Sequence, residues 1–161
     1  MHSSETKSEV DGCIERYGKS PTTLFDELGL FNYGGGAYHS VWVDDNDLEI
    51  YKKRGVWAVI NAGSNCKLAS GIAPVSKMMD LGINLAVGTD GPASNNALDM
   101  FREMYLIAAT QKINDCDAAS TDANAILKAA TIGSAHCMGL DECDVIDEGL
   151  SLIHISAPTR L

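Results

Sequence analysis

An aspartate follows an apolar run in the stretch Ile83-Asn84-Leu85-Ala86-Val87-Gly88-Thr89-Asp90-Gly91. A buried strand that ends on a carboxylate delivers it to the C-terminal edge of a parallel sheet, where α/β barrels place metal ligands and bases. Two other stretches bring chemistry in a similar way. His2-Ser3-Ser4-Glu5 holds an imidazole and a carboxylate three residues apart, and His39 sits in a second apolar strand, Ala37-Tyr38-His39-Ser40-Val41-Trp42. Hydrolytic zinc is held by neutral imidazoles and carboxylates, with one position kept for a water whose pKa the ion lowers toward neutrality. His2 and Asp90 suit the ligand role. With Glu5 and His39 beside them, they read as a metal-dependent hydrolase site that lacks part of its ligand set.

Each residue has a plainer reading by itself. His2 could be a frayed terminal residue, Glu5 a solvated carboxylate at a helix start, His39 a core histidine bonded to backbone, and Asp90 the first half of an Asp-Gly turn. Their occurrence together weighs against four separate coincidences. His136, in an Ala- and Gly-rich helical stretch, reads as a packing residue. Gly18-Lys19-Ser20 is not a phosphate loop, because Cys13 stands where the first glycine is required and a helix pattern precedes it. Gly34-Gly35-Gly36 leads into a strand rather than out of one, which marks a flexible turn and not a dinucleotide cradle. The H-x-E and P-C-x-x-C signature of zinc nucleobase deaminases is absent.

The elements that must carry these groups alternate between helix and strand patterns, which predicts an α/β fold with a parallel sheet. Helices are expected over 6–17, stopping at Gly18, and over 21–28, stopping at Gly29. The strand over 37–42 leads to Asp44-Asp45-Asn46-Asp47, an acidic helix start. That helix has Lys52-Lys53-Arg54 in its last turn and Gly55 as its stop. A strand over 56–60 runs into a turn at Asn61-Ala62-Gly63, and Pro74 opens a helix that ends at Gly82. After the strand at 83–88 come helices over 98–111 and 121–138, the latter closed by Gly139. This makes three complete strand–helix units, preceded by a helix whose own strand is missing. Three or four units cannot close an eight-stranded barrel, so the pattern predicts part of a (β/α)8 TIM-type barrel, its C-terminal half.

Composition excludes several classes. The 161 residues make about one domain's worth of chain, 45% hydrophobic and 21% charged. A formal net charge of −10 argues against nucleic acid as a partner, since phosphate binding needs clustered Lys and Arg. No apolar run is long enough for a membrane span, and the chain does not open like a secretory leader. Five cysteines at unpaired spacings (13, 66, 116, 137 and 143) suggest free thiols in a reducing cytoplasm.

The run Ile60-Asn61-Ala62-Gly63-Ser64-Asn65-Cys66-Lys67-Leu68-Ala69-Ser70-Gly71-Ile72-Ala73-Pro74 resembles the amidohydrolase superfamily. Within it, the likeness is to the 5-methylthioadenosine/S-adenosylhomocysteine deaminase group. That group reads H-N-P-x-S-N-x-K-L-x-S-G-I-A-P here, followed by G-T-D-G-x-x-S-N-N-x-L-D-M-F-x-E-M, the form of Gly88 through Met104. His2-Ser3-Ser4-Glu5-Thr6 resembles its H-x-x-E-T, and Tyr38-His39-Ser40-Val41 its A-H-C-V. The resemblance spans about residues 1–149. It implies one divalent metal, Zn2+ or Fe2+, with His2 and Asp90 as ligands. It further implies that Asp90 accepts a proton from water and contacts substrate, that Glu5 contacts the purine ring and protonates a ring nitrogen, and that His39 orients the water. The implied activity is hydrolytic deamination of an adenosine derivative by a cytoplasmic homo-oligomer. Guanine deamination, triazine dechlorination and a non-catalytic fragment are the alternatives.

Three departures qualify the likeness. The family's H-x-H metal pair belongs to a part of the barrel outside this chain. Ile60 and Ala62 replace the His and Pro of H-N-P. After Gly149, the segment from Leu150 to Leu161 reads as non-native or frame-shifted sequence, so the chain is expected to be a gene fragment. A half barrel with open parallel edges is also expected to self-associate.

Overall fold

The computed structural model describes residues 1–143; the expectation for the segment 150–161 lies outside the described residues. Thr6 caps the first helix, α1 (Lys7–Tyr17), by accepting from the Glu9 N–H, and Gly18 closes it at φ 73°. Ser20 caps α2 (Pro21–Glu27), and Asp44 forms a reciprocal capping box with Asp47 at the start of α3 (Asp45–Arg54). Gly55, at φ 66°, ends α3 and turns the chain directly into a strand. These stops follow the expectation, because a residue without a Cβ enters the left-handed region at no steric cost.

Four strands are present among the described residues: β1 (His2–Ser3), β2 (Gly35–His39), β3 (Val56–Ile60) and β4 (Asn84–Val87). All neighbours are parallel and the spatial order is β1-β2-β3-β4. The first helix therefore does have a strand before it, contrary to expectation. With His2 opposite Tyr38 and Ser3 opposite His39, β1 is too short to leave a periodic signal. Strand β2 is also displaced, taking in two of the three glycines of the expected turn and ending at His39. An order without reversal means that the connections all step one way, as around a barrel and unlike a doubly wound sheet.

One face of the sheet carries Ala37, Val56, Ala58, Ile60 and Val87 into the core, against Phe31, Leu48, Tyr51, Val75, Met78, Ile107 and Ile126 from the helical side. The opposite face presents Tyr38, Trp57, Val59 and Ala86 by simple alternation. Three short helices follow in the chain, α4 (Ala62–Lys67) and α5 (Val75–Asp80) after β3 and α6 (Pro92–Asn95) after β4. The expected turn at 61–63 is thus the entry to α4. Helix α7 (Met100–Asp115) starts later than expected because Asp99 takes the cap, accepting from the Phe101 and Arg102 N–H groups. No helix among the described residues is long and apolar enough to cross a membrane.

The helix expected over 121–138 is interrupted. It comprises α8 (Ala123–Lys128), a π-helical turn over Ala129–Gly133 and α9 (Ser134–Cys137). The interruption has a physical cause at the sheet edge. A Cβ on Gly133 would lie 2.1 Å from the Leu85 carbonyl oxygen, so only glycine lets the helix come this close to β4. The next residue, Ser134, accepts from the Val87 N–H at 3.1 Å and donates to the Val87 carbonyl at 3.1 Å. At this point, the β4 edge expected to be open is covered. α9 then brings His136 edge-on to Trp57, at 6.5 Å between ring centroids.

Replacing Gly133 with Ala should destabilise the fold by about 1–3 kcal/mol or more, the range for steric overpacking in a tight contact. Chemical denaturation should show a lower midpoint for Gly133→Ala. An unchanged midpoint would show that the π turn does not depend on this close approach.

Candidate metal and acid–base site

The candidate residues come from three of the four strands, β1, β2 and β4, and gather at one end of the sheet. His2 is in β1, with Glu5 just beyond it; His39 ends β2, and Asp90 follows β4. Ligand atoms of His2, His39 and Asp90 all lie within 4.8 Å of one another. His2 Nε2 is 3.9 Å from Asp90 Oδ1, and His39 Nε2 is 3.8 Å from Glu5 Oε2. The two imidazole centroids are 5.1 Å apart. The four residues singled out by sequence therefore converge, and a ring nitrogen of His39 lies in the same 4.8 Å group as the donor atoms of His2 and Asp90.

The backbone turns sharply to achieve this. Ser4, His39, Ser40 and Asp90 all adopt positive φ, at 54°, 71°, 47° and 58°. For residues with a Cβ this region is sparsely occupied and costs of order 1–3 kcal/mol each. Surrounding bonds hold the turns. Glu9, one turn into α1, accepts from the Ser4 and Glu5 N–H groups at 3.0 and 2.8 Å, which fixes the corner between β1 and its helix. Trp42 Nε1 donates to the Ser70 carbonyl at 2.7 Å, and Ser70 Oγ donates to Glu5 Oε1 at 3.3 Å.

His39 is fully buried, and its Nδ1 lies 2.8 Å from Asn65 Oδ1 in α4. Since a carbonyl oxygen only accepts, Nδ1 carries the hydrogen of this bond. Nε2 has no hydrogen-bond partner, so a buried ring nitrogen faces Glu5 unsatisfied. An unpartnered imidazole nitrogen near a second imidazole and a carboxylate fits the donor set of a divalent metal and its water.

Asp90 is held by two hydroxyls. Ser64 in α4 and Ser94 in α6 both donate to Oδ2, at 2.8 and 2.6 Å. Burial pushes this carboxyl up, but the bonds from Ser94, Ser64 and the Gly91 N–H, with the charge of His39, outweigh it and leave Asp90 below the usual carboxylate range. Oδ1 stays directed at His2.

Sequence reasoning assigned no such role to Glu9, Ser64, Asn65 or Ser94. Ser64, Asn65 and Ser94 enter only as letters of a motif. Asn65 meets His39 across 26 residues of chain and Ser64 meets Asp90 across the same separation, and no local pattern encodes such pairs. A capping-box pattern, Thr6-x-x-Glu9, was the available signal for Glu9.

A parallel sheet wound one way, with imidazole and carboxylate donors gathered at one end, defines an α/β protein with a candidate metal site at the end where barrel enzymes place theirs. The chain belongs to the amidohydrolase family, which residues 1–150 match. It is 42% identical over 149 residues to the 5-methylthioadenosine/S-adenosylhomocysteine deaminase of Thermococcus onnurineus (strain NA1), covering 92% of this chain and 35% of that protein. The protein of the same name from Caldanaerobacter subterraneus subsp. tengcongensis (strain DSM 15242 / JCM 11007 / NBRC 100824 / MB4) is 47% identical over 138 residues, covering 86% of this chain and 32% of that protein. Among solved structures, an adenosine deaminase from Xanthomonas campestris with bound zinc superposes with a TM-score of 0.83 at 40% identity, covering 88% of this chain and 32% of that one. The chain thus spans about a third of the length of the relatives it matches.

Removing the hydroxyls in a Ser64→Ala/Ser94→Ala double variant should raise the Asp90 pKa, since burial then acts with less opposition. A carboxyl depressed by folding stabilises the protein above its unfolded pKa, and that contribution is lost as pH falls through the folded value. The double variant should therefore lose less stability on acidification than the wild type. NMR titration of the Asp90 carboxyl checks the direction; an unmoved or lowered pKa would contradict it.

Proposed function

We propose that the protein to which this chain belongs deaminates an adenosine derivative by hydrolysis, with 5-methylthioadenosine and S-adenosylhomocysteine as the substrate class. The observation that carries this reading is the convergence of His2, His39 and Asp90 within 4.8 Å, with Glu5 beside them. The names of the relatives support the substrate class, and the zinc of the Xanthomonas structure supports the metal. His2 and Asp90 would hold the ion, zinc or iron(II), which supplies a water acidified enough to yield hydroxide near neutrality.

The chain's own residues divide the remaining work. Water adds to the ring carbon that bears the amino group, and ammonia leaves, converting adenine to hypoxanthine. Asp90 accepts the water's proton through a carboxylate whose other oxygen is fixed by two serines. His39 orients the water with Nε2, because Asn65 occupies Nδ1, and the same nitrogen stabilises the developing alkoxide. Glu5 delivers a proton to the ring nitrogen as the carbon becomes tetrahedral. Ser70 and the Glu9-fixed corner hold Glu5 for that task.

In this reading, residues 1–149 form the C-terminal half of the barrel, and the family's H-x-H ligands lie in the part outside this chain. The 161-residue polypeptide is then incomplete as a catalyst. All five cysteines are free, which supports a reducing cytoplasm as its compartment, and the parent protein is read as a homo-oligomer.

In the full-length parent, Asp90→Asn should lower the deamination rate by about 10³-fold or more, as expected when one residue supplies both a ligand and a proton acceptor. Glu5→Gln should lower kcat strongly while bound metal stays at the parental level. Near-normal turnover by Asp90→Asn, or metal lost in step with activity in Glu5→Gln, would refute these roles. The isolated chain should release no ammonia from 5-methylthioadenosine, and turnover by it would overturn the half-barrel reading.

A further inference from the structure

A carboxylate that touches none of the candidate reacting groups lies behind the site. Glu103, in the first turn of α7, is fully buried. Its Oε2 accepts from the Gly63 N–H at 2.8 Å, and its Oε1 accepts from Asn95 Nδ2 at 2.7 Å. Asn95 Nδ2 also donates to the Thr89 carbonyl at 2.7 Å. A Cβ on Gly63 would sit 2.3 Å from Glu103 Oε1 and 2.6 Å from Asn95 Nδ2, so the backbone at 63 is bare where the carboxylate enters.

The two segments joined by this bridge carry the groups that aim the site. Gly63 precedes Ser64, which holds Asp90, and Asn65, which holds His39. Thr89 precedes Asp90, whose backbone is in the left-handed region. Asn61, at the cap position of α4, makes no side-chain cap, so Glu103 takes up an N–H that the local sequence leaves unpaired. We propose that Glu103, with Asn95 as its relay, is a positioning residue that sets the first turn of α4 against the loop at 88–91. It thereby holds His39 in one tautomer and Asp90 at one distance from His2. The inference rests on the reading of His2, His39 and Asp90 as one metal and acid–base site.

The test uses the full 161-residue chain and needs no substrate. Glu103→Gln retains the side chain's size but offers one acceptor and one donor, so it can serve Gly63 or Asn95 but not both. The expected results are a zinc affinity lowered by about tenfold or more, the scale for losing an outer support of a metal ligand, and long-range 1H–15N ring correlations showing that His39 has lost its single Nδ1–H tautomer. Asn95→Ala leaves the Glu103–Gly63 bond in place. It should lower zinc affinity while His39 keeps its tautomer, and it decides the matter if Glu103→Gln does not fold. A lower unfolding midpoint with zinc affinity and the His39 pattern both unchanged would reduce Glu103 to a packing role and overturn the proposal. If the parent shows no deamination while these two readouts move as expected, the functional reading fails and the positioning role stands.

Discussion

The site end of the molecule depends on how the Asp90 carboxylate is held. Its backbone is in a conformation that a residue with a side chain seldom adopts. A strand that ended in ordinary extended geometry would send this side chain elsewhere. Ser64 and Ser94 grip one oxygen from two different helices, leaving the other toward His2. Those helices must in turn be placed, which is why buried polar groups gather behind the site. Asn65, Asn95 and Glu103 are all nearly or wholly inaccessible to solvent. Burying them is costly unless they are paired, and the bonds described above pair Asn65 with His39 and join Asn95 to Glu103. The region is rigid for the reason that it is polar: each bond that satisfies a buried group also fixes a corner.

The apolar core lies on the other side of the same strands and supplies what this arrangement spends. Leu48, Tyr51, Val56, Ala58 and Met78 are fully or almost fully excluded from water. Burial of a large aliphatic or aromatic side chain contributes roughly 1.5–3 kcal/mol. Several left-handed turns at about 1–3 kcal/mol each are therefore tolerable only next to such a core. Because the sheet is wound one way, the core can sit beneath every strand while every strand end is free for chemistry.

Much of this was legible in the residue order. The Val56–Ile60 strand, the glycine stops at 18 and 55, and the acidic start of α3 behave as their residue types require. Asp90 could be singled out because a strand pattern followed by Asp-Gly is local information. β1 was not legible, since two residues cannot show a period. The start of β2 was hidden because glycine is a poor strand former and reads as a turn. The π turn depends on one glycine meeting a carbonyl nearly fifty residues away in the chain. The supports of His39 and Asp90 were invisible for a related reason: a serine or asparagine on a short helix looks alike in sequence whether it faces solvent or a buried imidazole.

The covered edge of β4 changes what joining this sheet would involve. With Ser134 occupying both the N–H and the C=O of Val87, and Gly133 pressed against Leu85, an incoming strand cannot simply add to a waiting row of donors and acceptors. It must first displace the helix, breaking two hydrogen bonds before forming any. Strand addition at this edge is thus an exchange with an opening step, and at high partner concentration its rate would reach a ceiling set by how often the helix lifts. While the helix is seated, like edges cannot pair through Val87.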